Sequence, residues 1–202
     1  EQIYDYEKIA QLADLKQKRS KEAMQTMAVA IDKYVVNNLL DVGTGTYTTP
    51  AGGFTVAANI NQIFAELIAK FAGYAESYNG LYVVVENTDV AGIVQSGAAN
   101  GHSFADSWLN NGFLDEYMGV EIYVVRGGTF VTATLGTTAF TNSGHRLAGV
   151  KGVSTIARPG GRMTWMEKEG SGKTGVECAM AAYIGHKAWY QKLALTIDIT
   201  LA

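Results

Sequence analysis

The chain has 202 residues, 48% hydrophobic and 17% charged, enough apolar material to bury a core in one domain or in two small lobes. A formal net charge of −3, a pI near 5.6 and the lack of a dense basic tract exclude the electrostatic footprint of sequence-specific nucleic-acid binding. The single cysteine, Cys178, excludes an intramolecular disulfide and a cysteine-cluster metal site, and no apolar run reaches the roughly 18 residues of a membrane span.

In chain order, residues 1–14 lack the hydrophobic region of a signal peptide, and the opening EQIYDYEK has the character of mid-helix, so a processed or truncated chain is expected. Asp5 to about Leu40 contains no glycine or proline and reads as one long helix. In its second half Met24, Met27, Ala28, Ile31, Val35 and Leu39 make an apolar face, whereas its first half carries the cations Lys16, Lys18, Arg19 and Lys21 beside Asp14 and Glu22. At 1.5 Å per residue such a helix is roughly 50 Å long, more than a small domain covers, and it calls for contacts outside its own core. Gly43 to Gly53 reads as a loop. Asn59 to about Ala75 is an amphipathic helix with Ile60, Ile63, Phe64, Leu67, Ile68 and Phe71 on one stripe.

Leu81 to Val85 predicts a buried strand, and Asn87 or Thr88 can cap a short helix that runs to about Gln95. Gly97 to His102 is expected as loop, and a turn at Gly119 leads into a strand over Val120–Val125. Thr129 to Gly144 reads as loops or edge strands. Strands follow over Val153–Ala157, Arg162–Glu167, Val176–Ile184 and Lys187–Leu201, separated by glycines. Helices early and strands late give an α+β class.

Several motifs imitate chemistry without completing it. Asp41-Val42-Gly43-Thr44-Gly45-Thr46 is similar to the cofactor turn of methyltransferases, but Tyr47 stands at the third glycine and a helix precedes it. Gly170-Ser171-Gly172-Lys173-Thr174 imitates the end of a phosphate-binding loop, but Glu167 stands at the leading glycine and only 28 residues follow Thr174; a hairpin fits better. His102, His145 and His186 fall in no metal motif, and nothing converges on Asp106, Asp115 and Glu116 as paired carboxylates. Ser171 lacks the surroundings of a hydrolase nucleophile, and Trp165, Trp189 and the 11 tyrosines read as core or interface anchors. No catalytic, cofactor-binding or metal-ligating residue is nominated, no cofactor is expected, and the chain is not read as an enzyme.

The order of segments is more telling. A long helix, an amphipathic helix and a valine strand precede Glu86-Asn87-Thr88-Asp89-Val90-Ala91-Gly92-Ile93-Val94-Gln95-Ser96. Later come Asn111-Gly112-Phe113, Met118-Gly119-Val120-Glu121-Ile122-Tyr123-Val124-Val125 and Cys178-Ala179-Met180-Ala181-Ala182-Tyr183-Ile184-Gly185-His186-Lys187-Ala188. This succession resembles the major capsid (coat) proteins of tailed bacteriophages, with Thr88 where an Asn-Pro-x-Asp-like cap often has proline.

The resemblance implies the Hong Kong 97-type fold. Residues 1–58 would form a peripheral domain with a spine helix over about 5–40, residues 59–145 mainly an axial domain, and residues 146–202 a return to the peripheral sheet. The N-terminal arm and extended loop that interlock family members are expected to be missing. By resemblance the protein is a virion structural subunit, made in the host cytoplasm, that self-assembles through hexamers and pentamers into an icosahedral capsid. Scaffold and portal proteins and non-specifically held DNA would be its further partners, and no membrane. The 202-residue chain alone is expected to be monomeric or a small oligomer. An encapsulin-like nanocompartment shell and an S-adenosylmethionine-dependent methyltransferase built on Asp41, Gly43 and Gly45 stand as alternatives. A charge-poor surface with 23 glycines and 2 prolines suits a subunit partly covered by partners.

Overall fold

A computed structural model of the protein describes residues 2–41, 43, 45–71, 80–104, 112–135, 138–152, 154–157, 162–168, 175–181, 185–188 and 196–202. It describes the side chains of those between 17 and 152 and from 196 to 202. The chain is α+β. Its elements are α1 (Gln2–Asp41), β1 (Gly45–Thr48), a short 3-10 turn (Gly53–Thr55), α2 (Ala57–Phe71), β2 (Leu81–Glu86) and α3 (Val90–Ala99). There follow β3 (Phe113–Tyr117), β4 (Val120–Val125), β5 (Thr132–Leu135), β6 (Thr138–Thr141), β7 (His145–Val150) and β8 (Ser154–Ala157). The last are β9 (Arg162–Lys168), β10 (Gly175–Ala181), β11 (Gly185–Ala188) and β12 (Thr196–Thr200).

These elements divide into two compact units, one made of Glu1–Ile31 and Ala157–Gly185, the other of Asp32–Ile156 and His186–Ala202. The first holds the N-terminal part of α1 and the antiparallel pair β9–β10, in register from Arg162↔Ala181 to Lys168↔Gly175. The second is built on a mixed sheet whose described strands run in the order β1-β12-β7-β2-β4-β3. Within it β1 runs parallel to β12 and β2 parallel to β4; the β12–β7, β7–β2 and β4–β3 pairs are antiparallel.

Both faces of this sheet are covered in its middle. Successive side chains of a strand point to opposite faces, and β2 shows it: Val83 and Val85 belong to one apolar cluster and Val84 to another. On the first face Val83, Val85, Ile122, Ala148, Val150, Ile197 and Ile199 meet Ile60, Ile63, Phe64 and Leu67 of α2 and Ile93 of α3. Those α2 side chains are at most 1% exposed, each contributing about 1.5–3 kcal/mol of burial. On the second face Val36, Leu39 and Leu40 of α1 meet Val84, Leu147 and Phe130. A continuous valine run is what a strand covered on both faces requires.

Two close approaches need glycine. A Cβ on Gly92 would lie 2.2 Å from the Phe54 carbonyl oxygen, so α3 can rest on the backbone of the 3-10 turn only without a side chain there. Met118 and Gly119 form a two-residue hairpin turn between β3 and β4, with φ of 54° and 81°. Positive φ at both positions suits the twist of a tight hairpin, but a side-chain-bearing residue there costs about 1 kcal/mol.

Several expectations are corrected. β7 lies in the interior of the sheet although no strand was expected at His145–Val150, and β1 occupies a stretch read as loop. The short helix begins after Asp89, not at Asn87 or Thr88, and runs on to Ala99. The strand expected over Lys187–Leu201 is two strands in different sheets, with residues 189–195 outside the described ones. Met24 and Ala28, placed on the buried face of α1, are exposed, while Leu39 at the end of that stripe is buried.

Candidate functional site

Among the described residues the densest polar constellation lies where β2 ends, α3 begins and β7 starts. Arg146 on β7 is 4% exposed and donates from Nε to Asp89 Oδ2 at 2.5 Å and from Nη2 to Asp89 Oδ1 at 3.3 Å and Glu86 Oε2 at 3.2 Å. Its Nη1 donates to the His145 carbonyl at 2.7 Å, and the guanidinium lies 5.3 Å from the Phe130 ring centre. Asp89 is 1% exposed and also accepts the Glu86 backbone N–H. The other oxygen of Glu86 accepts the N–H groups of Gly128, Thr129 and Phe130, holding the loop after β4. Arginine suits this place because its planar fork stays charged and spans several acceptors.

A second set of bonds ties the same loop to α1. Asn37 is fully buried; its Nδ2 donates to the Thr129 carbonyl at 2.8 Å and its Oδ1 accepts Val131 N–H at 3.2 Å. Asn142 Nδ2 donates to the Asn37 carbonyl and to Asp41 Oδ1. Buried charges and amides bonded in this way form a clamp. Its Arg146 and Asp89 side chains are closed to solvent, so the arrangement holds backbone in place and offers no reacting group to a substrate.

The residues singled out from sequence are dispersed. His102 Nε2 lies 3.6 Å from Asp115 Oδ2 at the edge of the sheet, with its ring against Phe104 and Tyr117. His145 Nδ1 lies 2.7 Å from Asp198 Oδ1. Asp41 ends α1, and Gly45 opens β1, so the Asp41–Gly45 segment connects helix to strand, the reverse of the strand–turn–helix order of a cofactor turn. Asp106, Ser171, Trp189 and Gly170–Thr174 lie outside the described residues, as do the side chains of Trp165, Cys178 and His186. Among the described residues no group of three or more His, Cys, Asp or Glu side chains is placed to hold a metal ion, and no helix is long and apolar enough to cross a membrane. The clamp has no local sequence signature, because 57 positions of chain separate Asp89 from Arg146.

The outer face of the β3–β4 hairpin carries a different kind of chemistry. Glu116 and Glu121 stand opposite each other in the register, and Lys151 bonds to Glu121. That bond, with a further one from the Tyr123 hydroxyl at 2.7 Å, holds the Glu121 carboxyl below its ordinary range against the opposing effect of partial burial. The same Glu121 bond raises the Tyr123 hydroxyl. Nearby, burial pushes the Tyr82 hydroxyl up to about 12. Met118 at the hairpin tip and Tyr123 on its face are 47% and 38% exposed.

No protein-family model and no curated protein matches the chain. Solved structures do. A structure of Mycobacterium phage Che8 superposes with a TM-score of 0.60 at 15% identity, over 90% of this chain and 61% of that one. The capsid structure of the cyanophage P-SCSP1u gives a TM-score of 0.55 at 14% identity, over 91% of this chain and 66% of that one. This chain thus spans about three fifths of the length of the Che8 chain and about two thirds of the cyanophage one. At these identities the likeness is one of fold, and the fold is one found in phage capsids.

Proposed function

We propose that the chain is the folded core of a tailed-phage major capsid protein of Hong Kong 97 type, a non-enzymatic subunit of the icosahedral shell around viral DNA. The observation that carries this reading is the likeness of fold, over nine tenths of the chain, to a phage capsid structure. The closed clamp around Arg146 supports it, because charge buried to hold loops in place suits a scaffold for contacts better than a site of chemistry. In this reading α1 is the spine helix. The sheet with α2 and α3 is the axial domain, extended beyond residues 59–145 because β7 and β12 belong to it. The unit that includes β9 and β10 is peripheral. Further copies in hexamers and pentamers are its main partners, with scaffold, portal and non-specifically held DNA as the others.

Negative-stain electron microscopy of the product of the complete gene, beside the 202-residue chain, tests the proposal. Uniform icosahedral particles from the complete product are expected, with nucleic acid as their content in the virion. Only small soluble species from the complete product would sink the shell role, and shells filled with a protein cargo would transfer it to a nanocompartment.

A further inference from the structure

We infer that the β3–β4 hairpin docks on the Lys18–Met24 stretch of α1 in a second copy of this chain; the inference rests on the shell-subunit reading and specifies one contact within it. On its outer face the hairpin sets two acids, Glu116 and Glu121, opposite each other, while Asp115 lies in register with Ile122 on the other face, 3.6 Å from His102. Lys151 and the Tyr123 hydroxyl both bond to Glu121, and among the described residues no cation pairs with the exposed Glu116. Beside these carboxylates lie Met118 at the tip and the Phe113–Tyr123 ring pair, centres 5.5 Å apart.

The helix stretch has the complementary character. Lys18, Arg19 and Lys21 are exposed, and Met24 is 52% exposed. Arg19 is tied to Glu22 at 3.2 Å, which leaves Lys18 and Lys21 without a carboxylate partner among the described residues. Lys21 lies three residues from both Lys18 and Met24 and so neighbours each of them on the helix surface. Met24, Met118 and Tyr123 are three of the five large hydrophobic side chains exposed among the described residues, and each lies beside the charges of its own patch.

Two further points fix the occupant. Hairpin against hairpin sets acid on acid, and helix against helix sets base on base, so only the mixed pairing is attractive. Met118 is held at φ 54° where asparagine or glycine would turn the chain without strain, and it faces outward. A residue kept strained and exposed points to a use outside its own fold. The two patches differ, so the contact either closes reciprocally in a two-fold dimer or repeats head to tail into a ring.

Sedimentation velocity over a concentration series, at low and high salt, tests this on the 202-residue chain. The variants are Glu116→Lys, the pair Lys18→Glu and Lys21→Glu, and all three together, with circular dichroism confirming a native fold for each. Wild-type self-association is expected to weaken with salt, and each reversal alone to raise its dissociation constant about tenfold. The triple variant should return it to near the wild-type value. Absent or salt-independent wild-type association, a reversal without effect, or a natively folded triple variant that fails to recover would each overturn the contact. Particles from the complete gene product together with any of those results would remove the contact and leave the shell reading standing. A working charge swap without particles would do the opposite.

Discussion

Arg146 stands on a strand whose other members are almost all apolar or small, and its burial is tolerable only because two carboxylates and a carbonyl accept its hydrogen bonds. Removing it leaves Asp89 as a charge with 1% exposure and one remaining backbone donor. Arg146→Ala is therefore expected to lower unfolding free energy by about 3–5 kcal/mol in urea titration. Arg146→Lys should fall between, since a point charge lacks the fork that reaches Glu86 and Asp89 together. A loss under about 1 kcal/mol for the alanine variant would mean that the cluster does not clamp the loop. Glu121 behaves differently because its carboxyl is about a quarter exposed. Its folded pKa lies below the ordinary value near 4.5, so its contribution is present above that value and disappears as pH falls through the lowered one. Melting temperatures measured from pH 7 to pH 3 should show a small deficit for Glu121→Gln that closes below pH 4.5. A deficit constant across that range would assign it to lost packing rather than to the Lys151 bond.

At the scale of elements, α3 inverts a familiar propensity. Alanine favours a helix interior over glycine by about 1 kcal/mol. At Gly92 the added methyl would meet the Phe54 carbonyl at 2.2 Å and the Thr55 backbone at 2.8 Å. Gly92→Ala should therefore destabilise the protein by about 1–3 kcal/mol, read from the urea midpoint at unchanged slope; a stabilised variant would show that α3 can move off the turn. Elements with a strong period were legible from sequence: Ile60, Ile63, Phe64, Leu67 and Phe71 announce α2, and the valines of 83–85 announce β2. β7 was not, since His145, Arg146, Ala148 and Gly149 show neither alternation nor bulk. Gly149 is small because the Tyr82 ring lies over it, a contact made across 67 positions of chain. The Arg146–Asp89 pair spans 57 positions, and the β2–β7 pairing brings the end of β2, from which Asp89 follows, beside Arg146. The stripe on α1 was visible, but periodicity specifies a face and not the neighbour that covers it. Its end is buried at Leu39, while Met24 stays exposed.

For the whole molecule the division into units makes a sharper demand. Both apolar clusters of described residues, and every member of the Arg146 clamp, fall within Asp32–Ile156 and His186–Ala202. The chain leaves this unit along β8 and returns along β11, and those two strands pair with each other. A glycine-rich linker in place of residues 158–184 can join these two paired strands, and each doubling of such a loop's length costs only about 0.6 kcal/mol. Starting such a chain at Asp32 keeps Val36, Leu39 and Leu40 on the sheet and puts an acidic residue at the new helix N-terminus, where the helix dipole favours it. The shortened chain is expected to unfold in one cooperative transition and to protect the amides of β2 and β7 longest in hydrogen exchange, because those two strands are the central pair of the sheet. Arg146→Ala introduced into it should cost the same as in the 202-residue chain, since no partner of that side chain has been removed. Broad, uncooperative melting of the shortened chain would show that the sheet depends on the other unit, and the clamp would then belong to a larger cooperative structure.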